Sequence, residues 1–185
     1  MNSWAQTNGV DPERVTVVND TRIENVADAV ADLALYFRSQ LIHNEPILLV
    51  IDSVAAMDCA DNIDSKMTDA KAEMGGRAKA LYKYFRIRSE LFYRLGVTQI
   101  YINQLRTALN VGFGKDNTTT TGGAALKFYA SIRAAFYSGR SITVKQKGKE
   151  RKAGKLVTVR LIKNKVAPPR PTISKCPVYF NPKFH

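Results

Sequence analysis

Two short strand-like runs constrain this chain more than any other feature. "ILLVI" (47–51) is five apolar residues without alternation, ended by Asp52 and Ser53, and "TQIYIN" (98–103) leads directly to Gln104. A continuous apolar run suggests a strand covered on both faces, as in a parallel sheet sandwiched by helices. Between the runs, Leu81, Tyr84, Phe85, Arg88, Leu91, Phe92 and Leu95 recur at helical spacing before Gly96. That pattern supplies the helical crossover that parallel neighbours require. Upstream, Ile23, Val26, Val30, Leu33, Phe37 and Leu41 recur three and four apart behind the β-branched "VTVVND" (15–20). A strand and then an amphipathic helix are expected there, with Asp20 or Thr21 as cap. Strand, helix, strand, helix, strand predicts an α/β domain with right-handed crossovers.

The polar, acidic stretch from Ala55 reads as a loop leading into a helix near Met74. After the second run, "GGAALKFYAS" reads as a turn or two of helix and "IRAAFYSG" as a strand. "SITVKQKGKERKAGKLVTVRLIKNK" reads as an antiparallel hairpin with its loop at "KGKERKAGK", and "VAPPRP" is extended because proline restricts itself and its predecessor. The expected division is one core over 1–172 and a short tail over 173–185. No apolar run approaches the roughly 18 residues of a membrane span. The N-terminus lacks a signal pattern, so a cytoplasmic protein without a membrane partner is expected. Cys59 and Cys176 are too few and too far apart for a Cys-x-x-Cys metal site, and both read as structural or incidental.

Net charge is +12, unevenly distributed. Residues 1–75 hold thirteen acids and five bases, whereas residues 76–185 hold three acids and twenty-three bases. Cations at that density repel one another unless a polyanion lies nearby, which points to nucleic acid. A solvated basic face is the competing reading.

Asp52, at the end of a buried strand, places a carboxylate at the C-terminal edge of the sheet, where ligands of open α/β sheets bind. It reads either as a Mg²⁺ ligand or as a helix-capping acid. Gln104 would share that edge if the strands are parallel, and reads either as an amide sensing a terminal phosphate or as a strand-end residue satisfying backbone groups. The phosphate loop G-x-x-x-x-G-K-[ST] that usually accompanies such an aspartate is absent; "GFGKD" has neither its spacing nor its Ser/Thr.

"ILLVIDSVAA", "MGGRAKAL", "YINQLR", "VGFG", "TTTTGGAALKFYASIR" and "IKNKVAPP" occur in this order, and together they resemble the bacterial RecA recombinases and their phage relatives over roughly 10–169. The resemblance implies a partial RecA-like nucleotide-hydrolase core: a mostly parallel sheet flanked by helices, with an antiparallel C-terminal hairpin. It implies two DNA-binding loops, 61–74 and 105–123, holding single-stranded DNA at a filament axis and admitting duplex DNA during exchange. Met74 and Leu109 match apolar positions wedged between base triplets; Lys79, Arg86 and Arg106 match basic positions. Gly75, Phe113, Thr118, Thr119, Thr120, Gly122 and Gly123 fall within the same DNA-binding motifs. For ATP and Mg²⁺, Asp52 matches the Walker B acid and metal ligand, Ser53 its neighbour, and Gln104 the coupling glutamine. Lys163 and Lys165 match a pair reaching ATP on the neighbouring protomer, and Lys127 and Phe128 match residues at that interface.

By the same resemblance, the family's phosphate loop, its flanking strand and helix, and its catalytic glutamate lie upstream of residue 1. A core without that strand is expected to expose sheet edges and an apolar face. DNA-dependent ATPase activity is therefore expected only with a complementing N-terminal half or with neighbouring subunits in a homo-oligomeric filament. A non-hydrolysing DNA-binding or filament-modulating module, and a helicase relative of the same fold, are the alternative readings.

Overall fold

The computed structural model describes residues 9–42, 45–64, 75–107, 118–146, 148–168 and 172–180. They form two units, one within 17–129 and one made of 9–16 with 130–180.

In the first unit, helix α1 (Ile23–Gln40) precedes strand β1 (Ile47–Ile51), a short helix α2 (Ala60–Asp64), the long helix α3 (Gly76–Arg94) and strand β2 (Val97–Tyr101). Strands β1 and β2 pair in parallel, Ile47 opposite Val97 and Ile51 opposite Tyr101. Ile23, Val26, Val30 and Ala34 of α1 and Leu81, Tyr84, Phe85 and Phe92 of α3 make one core with Ile51 and Val97. The helical periodicities thus bury the expected stripes. Arg38 near the end of α1 donates from Nε and Nη2 to the Leu95 carbonyl (2.9 and 2.6 Å). It thereby satisfies a carbonyl at the C-terminus of α3. Gly96 then turns the chain at φ +62° into β2.

The sheet is covered on one face only. Leu48, Val50, Ile100 and Ile102 are 58%, 49%, 47% and 44% exposed, which corrects the expectation of burial on both faces. An apolar run reports side-chain composition but not what lies over it. The exposed apolar face expected from the resemblance is therefore present. Residues 15–20 also depart from expectation: no strand forms there, and Val15, Val17 and Val18 are exposed. β-branching favours a strand only where a neighbouring strand supplies a ladder. Helix α1 has Arg22 at its cap position without a side-chain cap, and its Ile23 amide donates to the Asp58 carbonyl (2.9 Å). Asp20 instead accepts from the Arg22 amide (2.8 Å) and from Asn25 (2.8 Å).

Beyond β2, strands β3 (Leu105–Thr107) and β4 (Thr118–Thr120) pair antiparallel, and helix α4 (Ala125–Tyr129) closes the unit.

The second unit contains a three-stranded antiparallel sheet in the order β5 (Ile132–Gln146), β6 (Lys149–Asn164), β7 (Thr172–Tyr179). Two expectations change here. The segment read as separate strands up to Gln146 is one strand, with a register shift between Ser138 and Ser141. Gln146 of β5 already pairs with Lys149 of β6, so Lys149–Lys155 belong to β6 instead of a loop. Most of the stretch read as a tail forms β7.

Candidate functional site

The parallel register brings Asp52 and Gln104 to one edge of the first unit. Asp52 follows β1 directly, and the Ile102 amide donates to the Ile51 carbonyl (3.0 Å) while the Val54 amide donates to the Ile102 carbonyl (2.9 Å). The chains leaving β1 and β2 are thus stitched together just beyond the sheet. Asp52 is exposed and opens onto a depression lined by Asp20, Arg22 and Asn25. The hydrogen bonds from the Arg22 amide and then from Asn25 hold the Asp20 carboxyl below its ordinary range. Ser53 caps the 3-10 turn Val54–Ala56, its carbonyl accepting from the Ala56 amide (3.0 Å). Among the described residues, no three His, Cys, Asp or Glu side chains converge as a metal site. For Mg²⁺, Asp52 offers a carboxylate at this edge, and water or phosphate oxygens would fill out the octahedral shell such an ion takes.

Gln104 is exposed, and its backbone N–H donates to Asn103 Oδ1 (2.8 Å). Asn103 Nδ2 donates to the Thr121 carbonyl (2.8 Å). The β3–β4 ladder continues this closure, placing Arg106 opposite Thr119 and Leu105 opposite Thr120, with Thr118 opposite Thr107. Gly122 (φ +91°) and Gly123 (φ +70°) then press onto α3. A Cβ at Gly122 would lie 2.6 Å from Leu81 Cδ1, and one at Gly123 would lie 2.9 Å from the Ala78 Cβ. Both positions need glycine for conformation and for packing, apart from any contact with a ligand. Met74, Leu109 and Phe113 lie outside the described residues.

Helix α3 starts after Gly75 (φ +105°) and presents Lys79, Tyr82, Lys83 and Arg86 along one exposed face. Spacings of three, four and seven align these side chains into a basic row with an aromatic ring in it. Lys83 and Tyr82 were passed over at the sequence level, although Lys83 lies four residues after Lys79. At the start of α3, Arg77 Nη2 meets Asp58 Oδ2 at 2.7 Å. Burial works against the charged form of Asp58. Hydrogen bonds from Arg77, Asn62 and the Cys59 amide outweigh it and lower the carboxyl's pKa. Lys127 and Phe128 lie on α4, both exposed, with Phe128 71% accessible.

Lys163 and Lys165 belong to the other unit. Lys163 lies at the end of β6, directly opposite Arg133 of β5. The Lys165 amide donates to the Ser131 carbonyl (3.0 Å). Between the lysines, Asn164 Oδ1 accepts from the Val166 and Ala167 amides (3.1 and 3.3 Å), fixing the turn that follows. Burial, then the Lys165 and Arg133 charges, lower the pKa of the Lys163 ammonium.

Parallel strands delivering an acid and an amide to one edge, followed by a basic antiparallel sheet, define a mixed α/β protein with a partial RecA-like core. The RecA N-terminal domain model matches residues 2–181, and the chain belongs to the RecA family. It is 37% identical over 167 residues to "Protein RecA" of Sulfurimonas denitrificans, covering 90% of this chain and 44% of that one. It is 37% identical over 162 residues to that of Picosynechococcus sp., covering 87% and 42%. To that of Bacteroides thetaiotaomicron it is 42% identical over 137 residues, covering 74% and 39%. The chain thus spans less than half the length of these relatives.

Proposed function

We propose that this chain acts in RecA-type homologous recombination and DNA repair in the cytoplasm, holding single-stranded DNA in an ATP-dependent filament that accepts duplex DNA for exchange. The observation that carries the reading is the shared edge of Asp52 and Gln104, with the β3–β4 segment beginning immediately beyond Gln104. Whatever Gln104 touches is one residue from the segment proposed to touch DNA. Among the described residues no helix is long and apolar enough to cross a membrane.

Bound ATP with Mg²⁺ supplies a terminal phosphate whose presence or loss distinguishes two states. Asp52 would hold the metal through its carboxylate, and Ser53 fixes the backbone turn beside it. Gln104 presents an amide to the terminal phosphate and passes its position to Leu105 and Arg106. Lys163 and Lys165 neutralise phosphate oxygens on a neighbouring protomer, as an arginine finger does, while Lys127 and Phe128 serve that protomer contact. Arg106, Thr119, Thr120 and the α3 cations hold the DNA backbone without reading its bases. No phosphate loop occurs in these 185 residues, so the grip on the nucleotide's phosphates comes from outside them.

The test measures single-strand binding by fluorescence anisotropy and ATP hydrolysis, for the chain alone and mixed with a full-length RecA-family protein whose own Asp52 equivalent is inactivated. Hydrolysis is expected only in the mixture, and single-strand binding is expected to tighten with a non-hydrolysable ATP analogue. Hydrolysis by the chain alone would overturn the division of labour. Binding indifferent to nucleotide would favour the non-hydrolysing module.

A further inference from the structure

The hairpin register places three cations at one end of the β5–β6 sheet. Arg133 and Lys163 are directly opposed across the ladder, so their side chains leave the same face. Lys165 lies two residues beyond Lys163, and its charge acts on Lys163 together with that of Arg133. The backbone holds this arrangement in place through the Lys165 amide on the Ser131 carbonyl and through the Asn164 turn.

Like charges directly opposed on a sheet destabilise it. A fold that holds three cations together at a strand end is poised for a multiply charged anion, which turns mutual repulsion into shared attraction.

We infer that Arg133 is a third member of the Lys163–Lys165 site, and that the three together bind a polyphosphate anion. The inference rests on the reading of the lysine pair as phosphate contacts and adds to it a residue from the neighbouring strand. A guanidinium suits the role because its planar fork binds two phosphate oxygens at once, while the lysines act as point charges. Arg133 is a binding and positioning residue in this site, reaching the same anion from the β5 side.

The experiment titrates inorganic tripolyphosphate into the full 185-residue chain by calorimetry, comparing Arg133→Gln, Arg133→Lys, the double variant Lys163→Gln/Lys165→Gln, and Lys152→Gln. Lys152 is on the same hairpin, opposite Thr143, and removes the same charge away from the cluster. Arg133→Gln should weaken binding roughly tenfold, Arg133→Lys should recover part of it, and Lys152→Gln should bind nearly as the parent does. Arg133→Gln should also melt no lower than the parent, because it relieves a repulsion, so loss of binding cannot be ascribed to unfolding. Parent-like affinity in Arg133→Gln with loss in the double lysine variant would overturn the Arg133 inference and leave the lysine reading standing. Parent-like affinity in the double variant would remove the lysine reading itself. Equal losses in Arg133→Gln and Lys152→Gln would reduce the effect to net charge and overturn the site.

Discussion

Asn103 Nδ2 reaches the Thr121 carbonyl at 2.8 Å and so fastens the two ends of the segment that begins at Gln104. The same side chain accepts from the Gln104 amide through its Oδ1. One residue therefore holds the backbone at Gln104, whose side chain is the candidate phosphate sensor, and ties it to the base of the β3–β4 ladder. Replacing Asn103 by Ala should cost about 1–2 kcal/mol in urea unfolding, since both hydrogen bonds are lost and a half-buried carbonyl is left without its donor. Hydrogen exchange should rise at Gln104 and along Leu105–Thr107 while α1 keeps its protection. Unchanged exchange at Gln104 would show that the closure does not depend on Asn103.

Gly122 is held by packing as well as by backbone conformation. Alanine there meets Leu81 Cδ1 at 2.6 Å while adopting φ +91°. At Gly148, φ is +74° but a Cβ would have open space. Gly148→Ala should therefore cost about 1 kcal/mol from conformation alone, and Gly122→Ala about 2–4 kcal/mol because overpacking is added. Urea midpoints compare the two directly. Equal costs would mean that Leu81 rotates away freely.

Asp58 joins the start of α1 to the start of α3. Its carbonyl accepts from the Ile23 amide, and its carboxylate accepts from Arg77, Asn62 and Cys59. Because the folded-state pKa is lowered from 3.8, the stabilisation is complete above the unfolded value and is lost as pH falls through the folded one. Asp58→Asn should be less stable near neutral pH and show a shallower acid limb below pH 3.8. Melting curves from pH 7 down to 2.5 check this; parallel acid limbs in the two proteins would dismiss Asp58 as a contributor.

The features legible in the sequence were those carried by periodicity. The three-and-four spacing of Ile23, Val26 and Val30, and of Leu81, Tyr84 and Phe85, allows only a helix with one apolar stripe, and those stripes form the core. The runs at 47–51 and 98–103 marked parallel strands and hence the common edge of Asp52 and Gln104. Their one-sided burial was not legible in the runs themselves, since Leu48 and Val50 look the same whether or not a layer covers them, and only the family resemblance pointed to it. The hairpin turn was misplaced because "KGKERK" has loop composition. On an exposed strand the backbone ladder carries such residues while their side chains stay in water. The lysine pair was read only through the family resemblance, and Arg133 needed the register.

The uncovered face of β1 and β2 should drive self-association. Leu48, Val50, Ile100 and Ile102 alternate with buried or half-buried residues on the other face, so polar β-formers can replace them without disturbing the core. The double variant Val50→Thr/Ile100→Thr should lower the apparent mass in sedimentation velocity at tens of micromolar and keep its melting temperature within a few degrees. An unchanged oligomer distribution would place the association surface elsewhere.

The basic row on α3 makes a quantitative case. Lys79, Lys83 and Arg86 lie on one exposed face with Tyr82 among them, so a single strand running along the helix would meet all three cations. Each phosphate neutralised on a single strand contributes roughly 0.7 to the slope of log K against log salt. The triple variant Lys79→Gln/Lys83→Gln/Arg86→Gln should therefore weaken binding of a homopolymeric single strand and reduce the magnitude of that slope by about 2. Tyr82→Ala should weaken binding with little change in slope, because a stacked ring releases no counterion. A triple variant whose slope matches the parent's would remove this face of α3 from the DNA path, leaving Arg106 and the β3–β4 segment to carry it.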